Sequence, residues 1–241
     1  MLLNEIAECC KMLKISRNLA ENSQELKADS NEEYLLKLLQ KELDYRKEVR
    51  MNRMMSKANF GAVKTFTDYS FDGIQITGNI TMDEITEAKI IDNKNNLVLY
   101  GKVGSGKTHM AIAIGVEAIK KGCSVMFFRT ATLVNQLVEA KRKGELKSYL
   151  KQFNKLNLVI LDEFGFTGFD KEGGQLLFNL ISDCYEKRSI IITTNLEFSK
   201  WINIFYDEPM TNALIDRIIH HGFLLIFNRD SYRLRNSSMK N

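Results

Sequence analysis

Gly101, Lys102, Val103, Gly104, Ser105, Gly106, Lys107 and Thr108 carry the chain's most telling spacing, Gly-x-x-x-x-Gly-Lys-[Ser/Thr]. An apolar run, Leu97 to Tyr100, precedes them, and a run of helical pattern, His109 to Lys121, follows. A buried strand that delivers the chain to such a turn points backbone N–H groups inward, and glycines keep Cβ atoms out of the way. The N-terminus of the following helix adds partial positive charge. In such a loop Lys107 reaches the β- and γ-phosphates of a nucleoside triphosphate, and the Thr108 hydroxyl holds Mg²⁺. A glycine-rich turn without a ligand is the alternative. The strand before and the helix after argue against it.

Leu158-Val-Ile-Leu-Asp-Glu163 supplies a second half to the same site. Four apolar residues make a buried strand, and two carboxylates emerge at its C-terminal end, where α/β sheets place their ligands. Asp162 suits the Mg²⁺ shell, directly or through water. Glu163 suits a general base that polarises the attacking water. An acidic strand end is common by itself; 55 residues after Lys107, with one strand between, it gains weight. Ile190-Ile-Ile-Thr-Thr-Asn195 is another apolar run ending in polar residues, and it predicts Thr194 or Asn195 beside the γ-phosphate. Thr-Asn at a strand end is often only a turn, so this third element leans on the other two.

The elements that must position these residues follow from periodicity. The first sixty residues are helical in pattern, with Leu2, Ile6, Cys9 or Cys10, and Leu13 at helical spacing. Ser30-Asn-Glu-Glu33 is a capping-box sequence that opens a helix running to about Lys57, and Gly61 breaks it. Residues 62 to 96 are mixed and polar, with a short helix expected around Asp83 to Asp92. Beyond them, strands at 97–100, 124–128, 158–161, 189–193 and 223–227 alternate with helices. That alternation predicts an α/β fold with a five-stranded parallel sheet covered on both faces. The domains expected are residues 1–62, small and all-helical, and residues 63–241, which carry the site.

Composition is that of an ordinary globular protein, 44% hydrophobic and 27% charged, with 34 Lys and Arg against 30 Asp and Glu for a net charge of +4. Cys9, Cys10, Cys123 and Cys184 lack metal-ligand spacing, and no apolar run is long enough to span a membrane. A signal peptide is not evident, so reduced thiols in a cytoplasm are expected. His109, His220 and His221 have no ligand partners at metal-binding spacing. Two basic clusters stand out. Arg46, Arg50, Arg53 and Lys57 fall on one helix face, and Lys141, Arg142, Lys143, Lys147, Lys151 and Lys155 crowd a second element. A single such cluster is usually a solvated face.

Five motifs in order resemble the IstB-like family of ATP-binding transposon helper proteins, relatives of the DnaC helicase loader among the AAA+ ATPases. They are Gly-Lys-Val-Gly-Ser-Gly-Lys-Thr-His-Met-Ala (101–111), Leu-Asp-Glu-Phe-Gly (161–165), Ile-Thr-Thr-Asn-Leu-Glu-Phe-Ser-Lys-Trp (192–201), Leu-Ile-Asp-Arg-Ile-Ile-His-His (214–221) and Asp-Ser-Tyr-Arg (230–233). The resemblance covers about residues 30 to 235. Lys102 and Val103 replace the Pro-Pro or similar pair usual there, and neither position supplies a required side chain.

The resemblance implies an AAA+ P-loop ATPase that binds ATP with Mg²⁺ through residues 101–109, His109 included, and Asp162. It implies that Arg217 is an arginine finger reaching a neighbouring subunit's γ-phosphate, and that Arg233 is a sensor-2 arginine acting within its own subunit. Glu163, Arg217 and Asn195 are then the catalytic set. It gives the basic clusters a partner, double-stranded DNA held through phosphates, and implies a homo-oligomer with ATP between subunits that directs a transposase to its target. Three alternatives stay open at this stage: a DnaC-type loader of a replicative helicase, a P-loop kinase for a small molecule, and a nucleotide-gated DNA scaffold that barely hydrolyses ATP.

Overall fold

Runs of β-branched and leucine residues, each too short for a helix, become the central strands of a sheet buried on both faces. A computed structural model describes residues 2–232 apart from Glu25 and Thr167. The five expected strands are β2 (Asn96–Gly101), β3 (Val125–Arg129), β4 (Leu158–Phe164), β5 (Ser189–Thr194) and β6 (Gly222–Phe227). They pair in parallel in the order β6-β2-β5-β4-β3.

The sheet has six strands, not five. β1 (Ile74–Thr77) adds antiparallel to β6, with Ile74 opposite Phe227 and Thr77 opposite Leu224. Its four residues alternate half-buried and exposed, a signal too short to separate from the polar stretch around it. Thr77 Oγ1 extends the ladder, donating to the Leu224 carbonyl at 3.0 Å and accepting the Leu224 N–H at 3.2 Å.

Helices cover both faces. On one, α6 (Thr130–Arg142), α8 (Lys171–Cys184), α9 (Ile202–Phe205) and α10 (Glu208–His220) bury Leu133, Leu137, Leu177, Ile204 and Leu214 against Val98, Val159, Leu161 and Ile192. On the other lies α5 (Lys107–Lys120), apolar nearly all round, with Met110, Ala113 and Ile114 fully buried. Gly115 is tight there, since a Cβ would meet the Phe60 ring at 2.9 Å and Ile160 Cδ1 at 3.0 Å. The expected helix at 83–92 is the short α4 (Met82–Thr86), opened by a full Thr81–Glu84 capping box, and a separate 3-10 turn, Lys89–Ile91. Between β3 and β4 the chain divides near Gly144 into α6 and α7 (Leu146–Leu150).

The chain forms two compact units, one ending at Met54 and the other starting at Met55. The first holds α1 (Leu2–Met12), α2 (Arg17–Asn22) and the greater part of α3 (Asn31–Lys57), around a small core of Cys10, Leu19, Ala20 and Leu38. Glu42 is buried there and accepts from the Ser16 N–H at 3.0 Å and from Arg46 Nε at 2.7 Å. Burial would raise its pKa, but the hydrogen bonds from Ser16 and Arg46 prevail and lower it. No described helix is long and apolar enough to cross a membrane.

Candidate active site

β2 ends at Gly101 and α5 begins at Lys107, so the intervening residues make a tight loop. The Ser105 N–H closes a turn onto the Lys102 carbonyl at 3.3 Å, and Gly104 and Gly106 take φ of +77° and +95°, which side chains resist. Lys107 is 9% exposed. Its Nζ donates to the Gly101 carbonyl at 2.6 Å and the Lys102 carbonyl at 2.7 Å, with Ser105 Oγ at 3.5 Å. A buried ammonium held by backbone dipoles at a helix N-terminus makes a ready site for an anion. Val103 is exposed at the tip of the loop.

One residue on, Thr108 Oγ1 donates to Asp162 Oδ1 at 2.7 Å. Thr193 Oγ1 donates to the same oxygen at 2.6 Å, so neither bond uses Oδ2. Asp162 is 3% exposed, at the end of β4, and Thr130 Oγ1 holds its carbonyl at 2.8 Å. This strand end is irregular. The β4–β5 register runs Leu161 opposite Ile192 and then Phe164 opposite Thr194, which leaves one extra residue in β4. Glu163 occupies the irregularity with φ of +56°.

In a regular strand Asp162 and Glu163 would face opposite sides of the sheet. A bulge re-aims the second carboxylate, and bulges gather beside active sites for this reason. A left-handed non-glycine residue costs about 1–3 kcal/mol, which its surroundings must sustain. Two threonines of β5 do so. Thr193 Oγ1 accepts the Glu163 N–H at 3.0 Å, and Thr194 Oγ1 donates to the Phe164 carbonyl at 2.9 Å while accepting the Leu196 N–H at 3.0 Å. Glu163 and Asn195 are both exposed, on adjacent strand ends. Phe164, Trp201 and Phe205 pack beneath them, all fully buried.

Other expected residues are engaged differently. Arg217 sits in the last turn of α10, over the Phe178 ring at 5.7 Å, and its Nη1 is buried with no hydrogen-bond partner among the described residues. α10 leads back to the N-terminal edge of the sheet, away from its own phosphate loop. Arg233 lies outside the described residues. His109 is bound to the lead-in segment, its Nε2 at 2.7 Å from the Thr65 carbonyl and its ring 4.8 Å from that of Tyr69. On α3, Arg46 is engaged with Glu42 and with the Lys14 carbonyl at 2.8 Å, whereas Arg50, Arg53 and Lys57 are exposed. Lys141 pairs with Glu172 at 2.8 Å and Lys143 with Glu139 at 2.7 Å; Arg142 and Lys147 are exposed.

The sequence model of the IstB-like ATP binding protein family matches residues 7–240. The chain belongs to that family. It is 34% identical over 208 residues to a protein of Bacillus thuringiensis subsp. berliner named for insertion sequence IS232 and for ATP binding, covering 86% of this chain and 83% of the relative. A Pseudomonas aeruginosa protein named for insertion sequence IS21 and for ATP binding is 34% identical over 203 residues, 84% of this chain and 77% of the relative. Among solved structures, the DnaC helicase loader superposes with a TM-score of 0.52 at 22% identity, over 68% of this chain and 96% of that one. AMPPCP-bound DnaA from Aquifex aeolicus gives a TM-score of 0.51 at 22% identity, over 66% and 51%. These likenesses establish an AAA+ P-loop fold.

Spacing gave no sign of Thr193, which looks like any β-branched strand residue, or of Thr130. It also missed Tyr69 and Arg229, which meet the phosphate loop from outside, and Ser70, whose carbonyl accepts from Arg229. Burial pushes the Tyr69 hydroxyl pKa up to about 12, against the lowering influence of Arg229.

Proposed function

We propose that this IstB-like protein hydrolyses ATP, assembles on double-stranded DNA with ATP between subunits, and directs a transposase to target DNA. The observation that carries the hydrolytic part is the convergence of Thr108, Thr193 and Asp162 beside Lys107, with Glu163 re-aimed by the bulge. The triphosphate takes the place of the carbonyls around Lys107 Nζ. Thr108 Oγ1 and the Asp162 carboxylate are hard oxygen donors adjoining that position, a set that fits Mg²⁺. The metal, when bound, neutralises charge on the β- and γ-oxygens. Glu163 takes a proton from water as the water oxygen bonds to the γ-phosphorus. The bond from γ-phosphorus to the bridging oxygen breaks, and its electron pair leaves with ADP. Asn195, exposed at the neighbouring strand end, orients that water. Thr194 is committed to the Phe164 carbonyl and is the weaker choice.

Arg217 lies in the last turn of α10, at the end of the sheet where β2 starts rather than where it delivers the phosphate loop, which supports a role toward a neighbouring subunit's γ-phosphate. Its guanidinium stays charged and offers forked donors for that task. Arg50, Arg53 and Lys57 on α3, together with Arg142 and Lys147, supply the cations for DNA phosphates, and Arg46, Lys141 and Lys143 contribute once their local carboxylate partners yield. The transposase role rests on relatives named for insertion sequences. A helicase-loading role has only the shared fold with DnaC behind it.

The test is duplex affinity across a salt series with ATP, with ADP and with neither, for the parent and for Arg50→Glu with Arg53→Glu. Each phosphate contact gives a log–log slope of roughly −0.9. Subunits linked by ATP raise the effective concentration of the next contact, so ATP tightens binding steeply. The double variant weakens all sequences alike, flattens the slope and still binds ATP. Salt-independent binding, or equal affinity in all three nucleotide states, refutes an ATP-gated assembly on DNA.

A further inference from the structure

The phosphate loop is gripped on its outer side by residues assigned no role so far. Beyond β6, Arg229 sends Nε to the Ser105 carbonyl at 2.5 Å, Nη1 to the Ser70 carbonyl at 2.6 Å and Nη2 to the Tyr69 hydroxyl oxygen at 2.6 Å. Its guanidinium stacks near the rings of Tyr69, at 5.0 Å, and Phe227, at 5.4 Å. Tyr69 in turn donates its hydroxyl proton to the Gly106 carbonyl at 3.2 Å. The Tyr232 N–H donates to the Gly104 carbonyl at 3.0 Å. Three consecutive carbonyls of the loop, those of Gly104, Ser105 and Gly106, are therefore all held from outside it.

A trans peptide unit is planar, so its C=O and N–H point in opposite directions. Fixing the Ser105 carbonyl toward Arg229 turns the Gly106 N–H to the other face of the loop, and fixing the Gly106 carbonyl does the same for the Lys107 N–H. Those N–H groups are the ones a phosphate needs. We infer that Arg229, acting with Tyr69, is a positioning residue that clamps the carbonyl side of the phosphate loop, so that its N–H groups are set for phosphate before nucleotide arrives. The clamp acts on nucleotide affinity rather than on turnover. Only a guanidinium offers enough donors in one plane to bridge the loop and the lead-in segment at once; an ammonium is a point charge.

The loop glycines fit the same reading. A Cβ at Gly106 would collide with Arg229 Nη2, and one at Gly104 with Ser231 Oγ. These two glycines let the clamp approach as well as the phosphates. All three acceptors of Arg229 are neutral oxygens, so its positive charge adds to the field at the loop.

The inference rests on this loop taking the triphosphate, and the test separates the two. Dissociation constants for ATP, ADP and inorganic tripolyphosphate are measured on the full chain, with steady-state hydrolysis, for Arg229→Ala, Arg229→Lys, Tyr69→Phe and Lys107→Ala. Loss of a charged hydrogen-bonding group predicts that Arg229→Ala weakens all three ligands alike, by about 10- to 100-fold. KM for ATP rises in step while kcat at saturation stays within about twofold of the parent. Arg229→Lys recovers part of the loss, and Tyr69→Phe weakens the three ligands by about 3- to 10-fold.

Weakened ATP binding with unchanged tripolyphosphate binding places Arg229 at the nucleoside and overturns the clamp. So does parental affinity for all three ligands in Arg229→Ala when Lys107→Ala has abolished binding. If Lys107→Ala itself binds ATP like the parent, the reading of the loop fails instead. Should Arg229→Ala not fold, Tyr69→Phe removes a single oxygen, and unchanged tripolyphosphate affinity in that variant is the overturning result.

Discussion

Thr193→Val removes one hydroxyl and keeps the branched shape, so it isolates what that oxygen does between the two carboxylate residues. The hydroxyl donates to Asp162 Oδ1 at 2.6 Å and accepts the Glu163 N–H at 3.0 Å, in a side chain 2% exposed. A hydrogen bond to a charged group is worth about 1.5–3 kcal/mol and one between neutral groups about 1 kcal/mol. Asp162 Oδ1 keeps its bond from Thr108, and Glu163 is exposed to water, so part of each loss is recovered. A net cost of about 2 kcal/mol follows, equivalent to a melting point lowered by about 4–8 °C in a unit of this size. The larger effect falls on catalysis. Glu163 holds φ of +56° against a local preference for extended backbone, and Thr193 is the side chain that ties its N–H. Once released, Glu163 relaxes toward regular strand geometry, and its carboxylate turns away from the γ-phosphate. Misplacement of a catalytic group by about 1 Å costs up to ~10²-fold, so kcat falls by about 10- to 100-fold while the dissociation constant for a non-hydrolysable ATP analogue stays within about threefold. Thr193→Ser restores both bonds and most of the rate. Steady-state hydrolysis, analogue binding and thermal melting on the three proteins settle the matter. A Thr193→Val protein that melts lower yet turns over at the parental rate would show that the hydroxyl serves packing alone.

Glu163→Gln keeps ATP binding and loses turnover by ~10²–10⁴-fold, as measured by phosphate release; a parental rate means another group is the base. Arg217→Ala binds ATP but barely hydrolyses it, and mixing it with Lys107→Ala, dead by itself, restores activity because the second protein lends its intact Arg217 to the first protein's site. No recovery at any ratio, with mixed oligomers shown by mass, counts against a shared site. The raised Tyr69 pKa, about 12 in the folded chain against the ordinary 10.0, makes a pH prediction. The unfolded chain loses this proton first, so the contribution is whole below pH 10 and is lost as pH rises through 12. Stability therefore falls over that window, and less steeply in Tyr69→Phe; identical profiles would place Tyr69 in water.

Motif spacing carried what lies on one element. The phosphate loop, its flanking strand and helix, and the Asp162–Glu163 pair were legible because strand, turn and helix follow one another within a few residues. β1 was not, because a four-residue edge strand with one wet face has no periodicity to detect. The bulge was invisible for a different reason: an extra residue in β4 shows only against its partner strand. Sequence pointed to Thr194 and Asn195 as the polar end of β5, whereas Thr193, one residue earlier, is the one that binds both Asp162 and Glu163. Apolar β-branched neighbours at Ile190, Ile191 and Ile192 hid it as one more strand residue. Arg46 shows something else that spacing leaves out. Its spacing with Arg50 and Arg53 is real, but Glu42, buried four residues earlier on the same helix, engages it.

Strand order explains why the site draws on residues so far apart. β2, which delivers the phosphate loop, lies between β6 and β5, the last strands in the sequence. β4 lies beyond β5, so Thr108 and Asp162 approach each other across the end of β5, and Thr193 is the residue of β5 that stands between them. On the other side, β6 runs parallel to β2 and ends level with it, Phe227 opposite Gly101. Whatever follows Phe227 must emerge beside the phosphate loop, and Arg229 is the second residue to do so. One parallel sheet order thus fixes both faces of the loop: β5 ties Asp162 and the Glu163 backbone on one side, and the segment after β6 brings Arg229 to the loop carbonyls on the other. Neither pairing is local, so each depends on the central strand staying in register. A substitution that shifts β2 by one residue would disturb phosphate binding and the carboxylate geometry together, whereas Thr193→Val and Arg229→Ala each disturb one alone.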